Sequence, residues 1–306
     1  MSGNGERVHD LAGCIRYFSC CILQYRRGMD NCMKNNHRYC SLFLLIFFFA
    51  SPCHGRNLIF GTHPFSNPAA IHKLFEPLVT YLTKETGVKI SIRIAPNYLA
   101  HIKALGEGRV DLGFAGPSPY VQIHDKYGGI ELLAKVKIKE DKNDKIVIFC
   151  RRDAPYQSIK DLKGTDFAFG DPQSFGSHFM PRWLLDRHGL TPHDLRTYAF
   201  VNSHDNVVLS VLHGDFAAGG ARLDVYEKYK DRPLRVLAGP FPIPPHVLVC
   251  RKELPREIKE TLRRALFGLR DPVVLKQINE QLLGFSKVKD GDFDQARRVM
   301  EYIESR

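Results

Sequence analysis

The stretch that decides the fold is FGDPQSFGSHFMPRWLL, residues 169–185. A short apolar strand leads into Asp-Pro, and bulky apolar residues then recur at the spacing of a helix. Small and hydroxylated residues, Ser174, Gly176 and Ser177, stand together where that helix begins. Backbone N–H groups and hydroxyls at a helix N-terminus suit a bound anion, although the same residues also suit a helix that caps itself. The stretch predicts a strand–loop–helix unit, with its helix over 175–188, and a candidate anion-binding loop.

Strand and helix patterns alternate through the rest of the chain from residue 57. For example, Asn67-Pro68 is a good N-cap and first-turn pair, and Gly87 is a good helix end. Such alternation predicts an α/β protein with mainly parallel sheets, whose ligands bind at the carboxyl ends of the strands. The predicted strands are 58–61, 90–95, 110–115, 131–138, 145–151, 166–170, 197–201, 216–221, 234–238 and 246–250. The other predicted helices are one that starts at Asn67-Pro68, then 98–106, 204–213, 255–268, 272–283 and 292–305.

Two pairs of segments repeat within the chain. ALGEGRVDLGFAG (104–116) is similar to VLHGDFAAGGA (211–221), and IVIFCRRDAPYQSIKDL (146–162) is similar to HVLVCRKELPREIKETL (246–262). The glycines that coincide in the first pair are Gly108 with Gly214 and Gly113 with Gly219. Two copies of each segment predict two similar lobes, each with its own sheet, rather than a solenoid, whose units repeat more often.

The N-terminal segment has the layout of a leader. MKNNHRYCSLFLLIFFFASPCHG, residues 33–55, reads as a basic region, a short apolar run and small residues, which is the order of a secretory signal peptide. We expect residues 1–55 to be a leader, with the true start at Met33, or alternatively Met29, and cleavage after Gly55. An uncleaved anchor and a lipid attached at Cys53 stay open as alternatives.

Composition excludes several classes of protein. The 306 residues are 44% hydrophobic and 25% charged, which is ordinary for a globular protein with one large or two medium domains. The net charge of +11 comes without aromatic–basic repeats, so no nucleic acid is expected as a partner. Only Cys150 and Cys250 lie outside the leader, which excludes a disulfide scaffold. No catalytic motif or metal-ligand spacing occurs, so neither an enzyme nor a cofactor is expected.

Four segments in this order resemble a known family: NLIFGTHPFSNP, APNYLAHIKALGEGRVDLGFAGPSPYV, IKDLKGTDFAFGDPQSFGSHFMP and NSHDNVVLSVLHGD. They are similar to the solute-binding proteins of phosphonate, phosphite and phosphate ABC importers, over about residues 57–270. The resemblance implies the type II periplasmic-binding-protein fold, in which two lobes joined by two crossover strands close on an oxyanion. The candidate crossovers are the Cys-Arg strands at 146–151 and 246–251. Lobe one would then comprise 57–147 plus 247–306, and lobe two 148–246.

The resemblance also gives the opening stretch a role. Family members usually read Asp-Pro-x-Ser-Thr-Ser-Gly here, whereas this chain has Phe175 for the usual Thr and an inverted Gly-Ser order. The hydroxyls and first-turn amides of this loop would still face an oxyanion. The candidate ligands are Ser174, Phe175, Gly176, Ser177 and His178.

Further candidates come from other loops at the predicted cleft. AGPSPY contributes Ser118 and Tyr120, and Tyr98 matches a tyrosine that the family points into the cleft. His63 lies in the first loop at the cleft edge and His204 at a second-lobe helix start. A structural interpretation stays open for each: a Pro-Ser cap with a buried tyrosine, a helix-initial aromatic, an exposed turn, or surface histidines.

The resemblance implies a secreted, monomeric, periplasmic protein that delivers a small oxyanion to the permease of an ABC importer. A ligand sensor of the same fold that signals to a membrane kinase, or a metal-binding protein, stay open as alternatives. Family members often have an acid in the second-lobe strand, in the slot that matches Asp111, where this chain has Ala217 followed by Arg222. That difference favours a small, purely anionic ligand. Cys150 and Cys250, if their strands are neighbours, would form a disulfide or remain buried thiols.

Overall fold

A computed structural model of the chain describes residues 57–139 and 144–306, which belong to one compact unit. The predicted leader, residues 1–55 with Met33 and Cys53, lies outside the described residues. Within the described part, strands and helices alternate as predicted and form two sheets, which confirms the α/β class.

The elements are as follows. The strands are β1 (Leu58–Thr62), β2 (Ile90–Ile94), β3 (Leu112–Ala115), β4 (Ile130–Ile138), β5 (Lys145–Arg151), β6 (Asp166–Phe169), β7 (Thr197–Phe200), β8 (Ala218–Arg222), β9 (Leu234–Pro242), β10 (Val247–Arg251) and β11 (Leu282–Ser286). The helices are α1 (Pro68–Thr86), α2 (Tyr98–Gly106), α3 (Pro117–Tyr127), α4 (Met180–Arg187), α5 (His204–His213), α6 (Leu223–Glu227), α7 (Arg256–Gly268), α8 (Pro272–Ile278) and α9 (Asp294–Glu304).

Both sheets are mixed rather than mainly parallel. The first has the order β11-β4-β10-β3-β1-β2, and only β1 with β2 and β1 with β3 pair in parallel. The second has the order β7-β6-β8-β5-β9, and only β6 with β7 and β6 with β8 pair in parallel. The antiparallel pairs arise because β5 in the second sheet, and β10 and β11 in the first, run opposite to the strands beside them.

The local signals explain most element boundaries. The Asn67 side chain accepts a hydrogen bond from the Ala70 amide at 2.9 Å, and Gly87 ends α1 with a φ of 67°. The predicted helix over 175–188 is confirmed, but its first turn is π-helical, over Phe175–Phe179, before α4.

One predicted helix is partly wrong. The segment 272–283 is helical only as far as Ile278, and β11 follows at Leu282. Asn279 already has an extended backbone, with a φ of −160°, and β11 pairs with the edge of β4. Pairing with an open sheet edge outweighs the helical pattern there.

The predicted internal repeat has a structural counterpart. Gly108 and Gly214 follow α2 and α5 with φ values of 67° and 85°. Gly113 on β3 and Gly219 on β8 lie directly beneath those helices, where a Cβ would come within 2.6 Å of a helix side chain. The two halves therefore use the same device, a helix packed closely on a glycine of the following strand.

The chain passes between the sheets twice, and both passages lie just before the predicted crossovers. One runs from the end of β4 to β5, and the other covers residues 243–246, from β9 to β10. The strands 146–151 and 246–251 do not cross, because each pairs on both sides within its own sheet. Residues 145–147 thus belong to the second sheet, whereas their predicted place was lobe one.

The two cysteines do not form a disulfide. Cys150 lies on β5 of the second sheet and Cys250 on β10 of the first, and both are buried free thiols. Burial raises the pKa of Cys150, and it raises the pKa of Cys250 to about 12.

A shared apolar cluster joins the two halves. It contains Leu105 of α2 and Phe179 of the π-helical turn, together with Met300 of α9. Helix α9 packs against both α3 and α4, and the hydroxyl of Tyr302 donates to Asp186 on α4. The C-terminal helix therefore touches both halves.

The ion pair of Asp111 with Arg251 in the first half should contribute more to the free energy of unfolding than the ion pair of Asp153 with Arg151 in the second. Asp111, at 1% exposure, accepts bonds from Arg251 Nε at 2.7 Å and from the Ile59 amide at 2.9 Å. We expect Asp111→Ala to lower the free energy of unfolding by about 3 kcal/mol, because it leaves a buried guanidinium unpaired. The matched control is Asp153→Ala. Asp153 is the exposed partner of Arg151, so its loss should lower the free energy of unfolding much less. Urea denaturation measures both, and equal losses would contradict the assignment.

Candidate functional site

A small cavity lies between the two sheets, at the carboxyl ends of β1, β3, β6 and β8. Its volume is about 20 Å³, the room of about one water molecule. Its lining residues are His63, Tyr98, Gly116, Pro117, Pro119, Ser174, Phe175, Gly176, His204, Arg222, Ile243 and His246. The position is the one at which open α/β sheets bind their ligands.

Three helix N-termini meet at this cavity. Helix α3 begins after Gly116, the π-helical turn begins after Ser174, and α5 begins at His204 after Ser203. Amides in a first turn have no acceptor within their own helix, and the helix dipole places positive charge at that end. Pro117 and Pro119 have no N–H, so the donors suited to an anion come mainly from the π-helical turn and α5, with the Ser118 amide from α3.

Arg222 is the cationic group at the cavity. Its guanidinium bonds to Asp224 at 2.7 and 2.9 Å, and it lies 3.0 Å from His246 Nε2. Its backbone N–H donates to His204 Nδ1 at 3.2 Å. Burial by itself would lower the pKa of Arg222, but the carboxylates of Asp224 and Asp144 hold it above its usual range. Arg222 therefore stays charged, and its partners fix its position.

Asp144 ties the two passages between the sheets together. Its Oδ2 accepts the His246 backbone N–H at 3.0 Å and lies 3.2 Å from His246 Nδ1, and its Oδ1 lies 3.4 Å from Arg222. Burial would raise the pKa of Asp144, yet His246 and Arg222 hold it well below its usual range. The carboxylate is therefore ionised and fully engaged.

Two histidines at the cavity, His63 and His204, are buried and neutral. Burial, followed by the neighbouring His101, holds the pKa of His63 well below its ordinary value. Burial and then Arg222 lower the pKa of His204 to about 3. Nδ1 of His63 is buried and has no hydrogen-bond partner among the described residues. A buried nitrogen without a partner is costly, so it is a candidate ligand contact.

Six of the ten predicted site residues line the cavity. They are His63, Tyr98, Ser174, Phe175, Gly176 and His204. The ring of Tyr98 lies 4.1 Å from that of His63, and its hydroxyl interacts with the Ser174 side chain. The candidate anion-binding loop thus faces the cavity through Ser174, Phe175 and Gly176.

The two candidates of the AGPSPY loop do not line the cavity. The hydroxyl of Ser118 donates to the Gln173 carbonyl at 2.6 Å, which is a bond between the two halves. The Tyr120 hydroxyl donates to Asp290 at 2.9 Å, and its ring packs 4.3 Å from that of Phe293. The α3 turn directs Tyr120 towards α9, so we remove it from the site and retain Ser118 as an interlobe contact.

The last two candidates, Ser177 and His178, belong to the π-helical turn but do not line the cavity. Ser177 donates its amide to Ser174 Oγ at 3.2 Å, and its buried hydroxyl faces Gly170. His178 Nδ1 lies 2.7 Å from the Pro172 carbonyl, and its ring packs on Phe200. The wider π turn carries both side chains away from the cavity.

Sequence reasoning missed three groups at the site: Arg222, His246 and Asp144. In the sequence, Arg222 is marked only by its place soon after Ala217, which stands where family members often have an acid. His246 opens the repeated segment HVLVC, where the strand pattern gave it no role. Neither Asp144 nor His246 belongs to a motif, because both act from the passages between sheets, where no periodicity applies.

Comparisons with known proteins place the chain in a family. The family model described as "ABC transporter, phosphonate, periplasmic substrate-binding protein" matches residues 60–293. The phosphate-import protein PhnD of Mycolicibacterium smegmatis is 25% identical over 52% of this chain and 52% of its own length. The phosphonates-binding periplasmic protein of Escherichia coli is 22% identical over 69% of this chain and 67% of its own length. The aligned region thus spans about half of the mycobacterial relative.

A solved structure shows the same fold. The structure of PhnD1 from Prochlorococcus marinus in complex with methylphosphonate has a TM-score of 0.75 and 20% identity, and the match covers 82% of this chain and 100% of that one. The predicted type II periplasmic-binding-protein fold is confirmed.

Two searches of the described residues were negative. None of the helices within 57–139 and 144–306 is long and apolar enough to cross a membrane. In the same residues, no three His, Cys, Asp or Glu side chains are arranged to hold a metal ion.

The buried histidines predict a loss of stability in acid. Burial lowers the pKa of His101 to about 4, and its Nε2 lies 3.0 Å from the Phe114 carbonyl. Between pH 6.5 and 4 the unfolded chain binds a proton that the folded chain does not, so the free energy of unfolding falls as the pH falls. We expect His101→Gln to reduce that slope by up to about 1.4 kcal/mol per pH unit. Denaturation at several pH values measures it, with His193→Gln, on an exposed histidine, as control. Equal slopes in wild type and His101→Gln would refute the assignment.

Proposed function

The chain belongs to the periplasmic substrate-binding proteins of phosphonate ABC transporters, and we propose that it captures the phosphonyl group of its ligand at the small cavity. The observation that carries the proposal is the meeting of donors from both halves at one buried point. His63 and Tyr98 come from the first half, and Ser174, Gly176 and His204 from the second.

Donors rather than net charge would hold the ligand. His63 and His204 are neutral, and the guanidinium of Arg222 is already paired with the buried Asp144 and the partly exposed Asp224. Three helix N-termini, with roughly half an elementary charge each, add positive potential at the cavity. Oriented amides, the Tyr98 hydroxyl and the free nitrogen of His63 then supply the hydrogen bonds.

Capture requires movement of the halves. The small cavity is smaller than a phosphonyl group, so the halves must separate and close again around the ligand. A ligand that bonds to both halves favours the closed arrangement, which the Ser118–Gln173 bond also stabilises. We propose that the moving units are the predicted lobes, with 145–147 transferred to lobe two.

We further propose that the mature protein is a periplasmic monomer, without enzymatic activity, that delivers its ligand to the permease of an importer. The family match over 60–293 supports this proposal. Deleting the gene should abolish growth on methylphosphonate as the sole phosphorus source while phosphate still supports growth. Normal uptake with altered transcription would instead indicate a sensor that signals to a kinase.

Two tyrosines provide a matched test of the site. Tyr98 lines the cavity, whereas Tyr120 bonds to Asp290 outside it. We expect Tyr98→Phe to weaken methylphosphonate binding by about tenfold or more, because a hydrogen bond to a charged group is lost. Tyr120→Phe should leave the affinity within about twofold while lowering stability slightly.

Isothermal titration calorimetry measures both affinities. If wild type binds none of methylphosphonate, phosphite and phosphate, the proposed function is wrong. If Tyr120→Phe weakens binding as much as Tyr98→Phe does, the site is misplaced.

A further inference from the structure

A second, larger cavity adjoins the small one. Its volume is about 670 Å³, within the range of about 300–1,000 Å³ of small-molecule sites. The two cavities share five lining residues: His63, Tyr98, His204, Arg222 and His246. A ligand whose head group occupies the small cavity would therefore extend directly into the larger one.

The walls of the larger cavity differ in character. The first half supplies an apolar wall from the loop after β1 and from α1, β3 and β4, which includes Phe65, Leu74, Phe75, Phe114, Val136 and Ile138. The first half also supplies polar residues from α8 and from the segment between α8 and β11, which include Lys276, Gln277, Asn279, Glu280 and Gln281. The second half supplies mostly charged residues from α5 and α6, which include Asp205, Asp224, Glu227 and Lys228. A substituent on the ligand would thus meet hydrocarbon on one side and charged groups on the other.

The apolar wall reaches the small cavity through stacked rings. Phe114 stacks on His246, with ring centroids 5.2 Å apart and an interplanar angle of 13°. Phe65 then lies 6.3 Å from Phe114 and 5.4 Å from His63. An apolar substituent can therefore follow continuous aromatic surface away from the head group.

The carboxylates near the head group are already engaged. Asp224 accepts two bonds from Arg222, and Asp144 is bonded to Arg222 and His246. Asp205 accepts the Tyr229 hydroxyl at 3.1 Å, and Glu227 also has a partner. Beside the head group, an ammonium on the ligand would have to displace these bonds, whereas an alkyl group would not; the remaining lining carboxylate, Glu280, follows α8.

We propose that the larger cavity is a subsite for an apolar substituent, and that this chain selects alkylphosphonates of several carbons over methylphosphonate and over aminoalkylphosphonates. The proposal rests on the proposed function and names the substrate class of the same site. It revises the sequence-based expectation of a small ligand, because the space and the apolar wall come from α1 and β4, far along the chain from the anion loop.

The test is calorimetric titration of the mature chain with four compounds: methyl-, propyl- and hexylphosphonate, and 2-aminoethylphosphonate. Propylphosphonate and 2-aminoethylphosphonate have nearly the same shape and differ in the terminal methyl or ammonium group. Each buried methylene is worth about fourfold in affinity. We expect propylphosphonate to bind at least about tenfold tighter than either methylphosphonate or 2-aminoethylphosphonate, and hexylphosphonate to bind tighter still.

Two outcomes overturn the proposal while leaving the proposed function intact. In the first, methylphosphonate binds and propylphosphonate binds no tighter. In the second, the affinity for 2-aminoethylphosphonate equals or exceeds that for propylphosphonate. If no compound binds, both the subsite and the proposed function fail.

A variant pair locates the effect. Leu74, half-buried on α1, lines the larger cavity but not the small one. Leu74→Trp should fill the apolar wall and reduce the propyl-to-methyl affinity ratio to about twofold or less. Leu99→Trp, at a residue 47% exposed on α2 and outside both cavities, is the control and should keep the wild-type ratio. Loss of the ratio in both variants, or in neither, contradicts the placement of the subsite.

Discussion

The rest of the structure depends on one buried carboxylate. Asp144 stands where the chain enters the second sheet, directly before β5, and a desolvated anion there costs several kcal/mol unless it is paired. Its partners are Arg222, at the end of β8, and His246, where the chain returns to the first sheet. Satisfying this single charge holds the two passages side by side and fixes the guanidinium at the cavity. The two passages between the sheets and the candidate site are therefore parts of one charge network.

Features that depend on local sequence were predicted correctly, whereas features that depend on tertiary contacts were not. The Asn67 cap, the glycines after α2 and α5 and the Ser174 helix start were predictable, because each depends on a few consecutive residues. Tyr120 was a candidate on its motif alone, but its hydroxyl bonds to Asp290, which precedes α9 and lies 170 residues away in the chain. The place of Arg222 and His246 at the site was not predicted for the same reason, because it depends on a tertiary pairing with Asp144 that no local pattern encodes.

The internal repeat clarifies what the two halves share and what they do not. Both halves pack a helix closely over a strand glycine, and both contain a buried strand that ends in Cys-Arg. The arginines then diverge, since Arg251 pairs with the buried Asp111 and Arg151 with an exposed aspartate. The scaffold is duplicated, whereas the polar contacts differ between the halves. That asymmetry is also seen at the cavity, where one half offers aromatic surface and the other offers fixed charge.

The apolar cluster shared by the halves has a thermal consequence. If the halves separate as proposed, side chains such as Phe179 and Met300 gain contact with water, and closure removes that contact again. Hydration of apolar surface carries a positive heat capacity, so capture of a ligand by closure should be accompanied by a drop in heat capacity. Because the hydrophobic contribution weakens on cooling, the grip on the ligand would loosen in the cold even if every hydrogen bond at the cavity were kept.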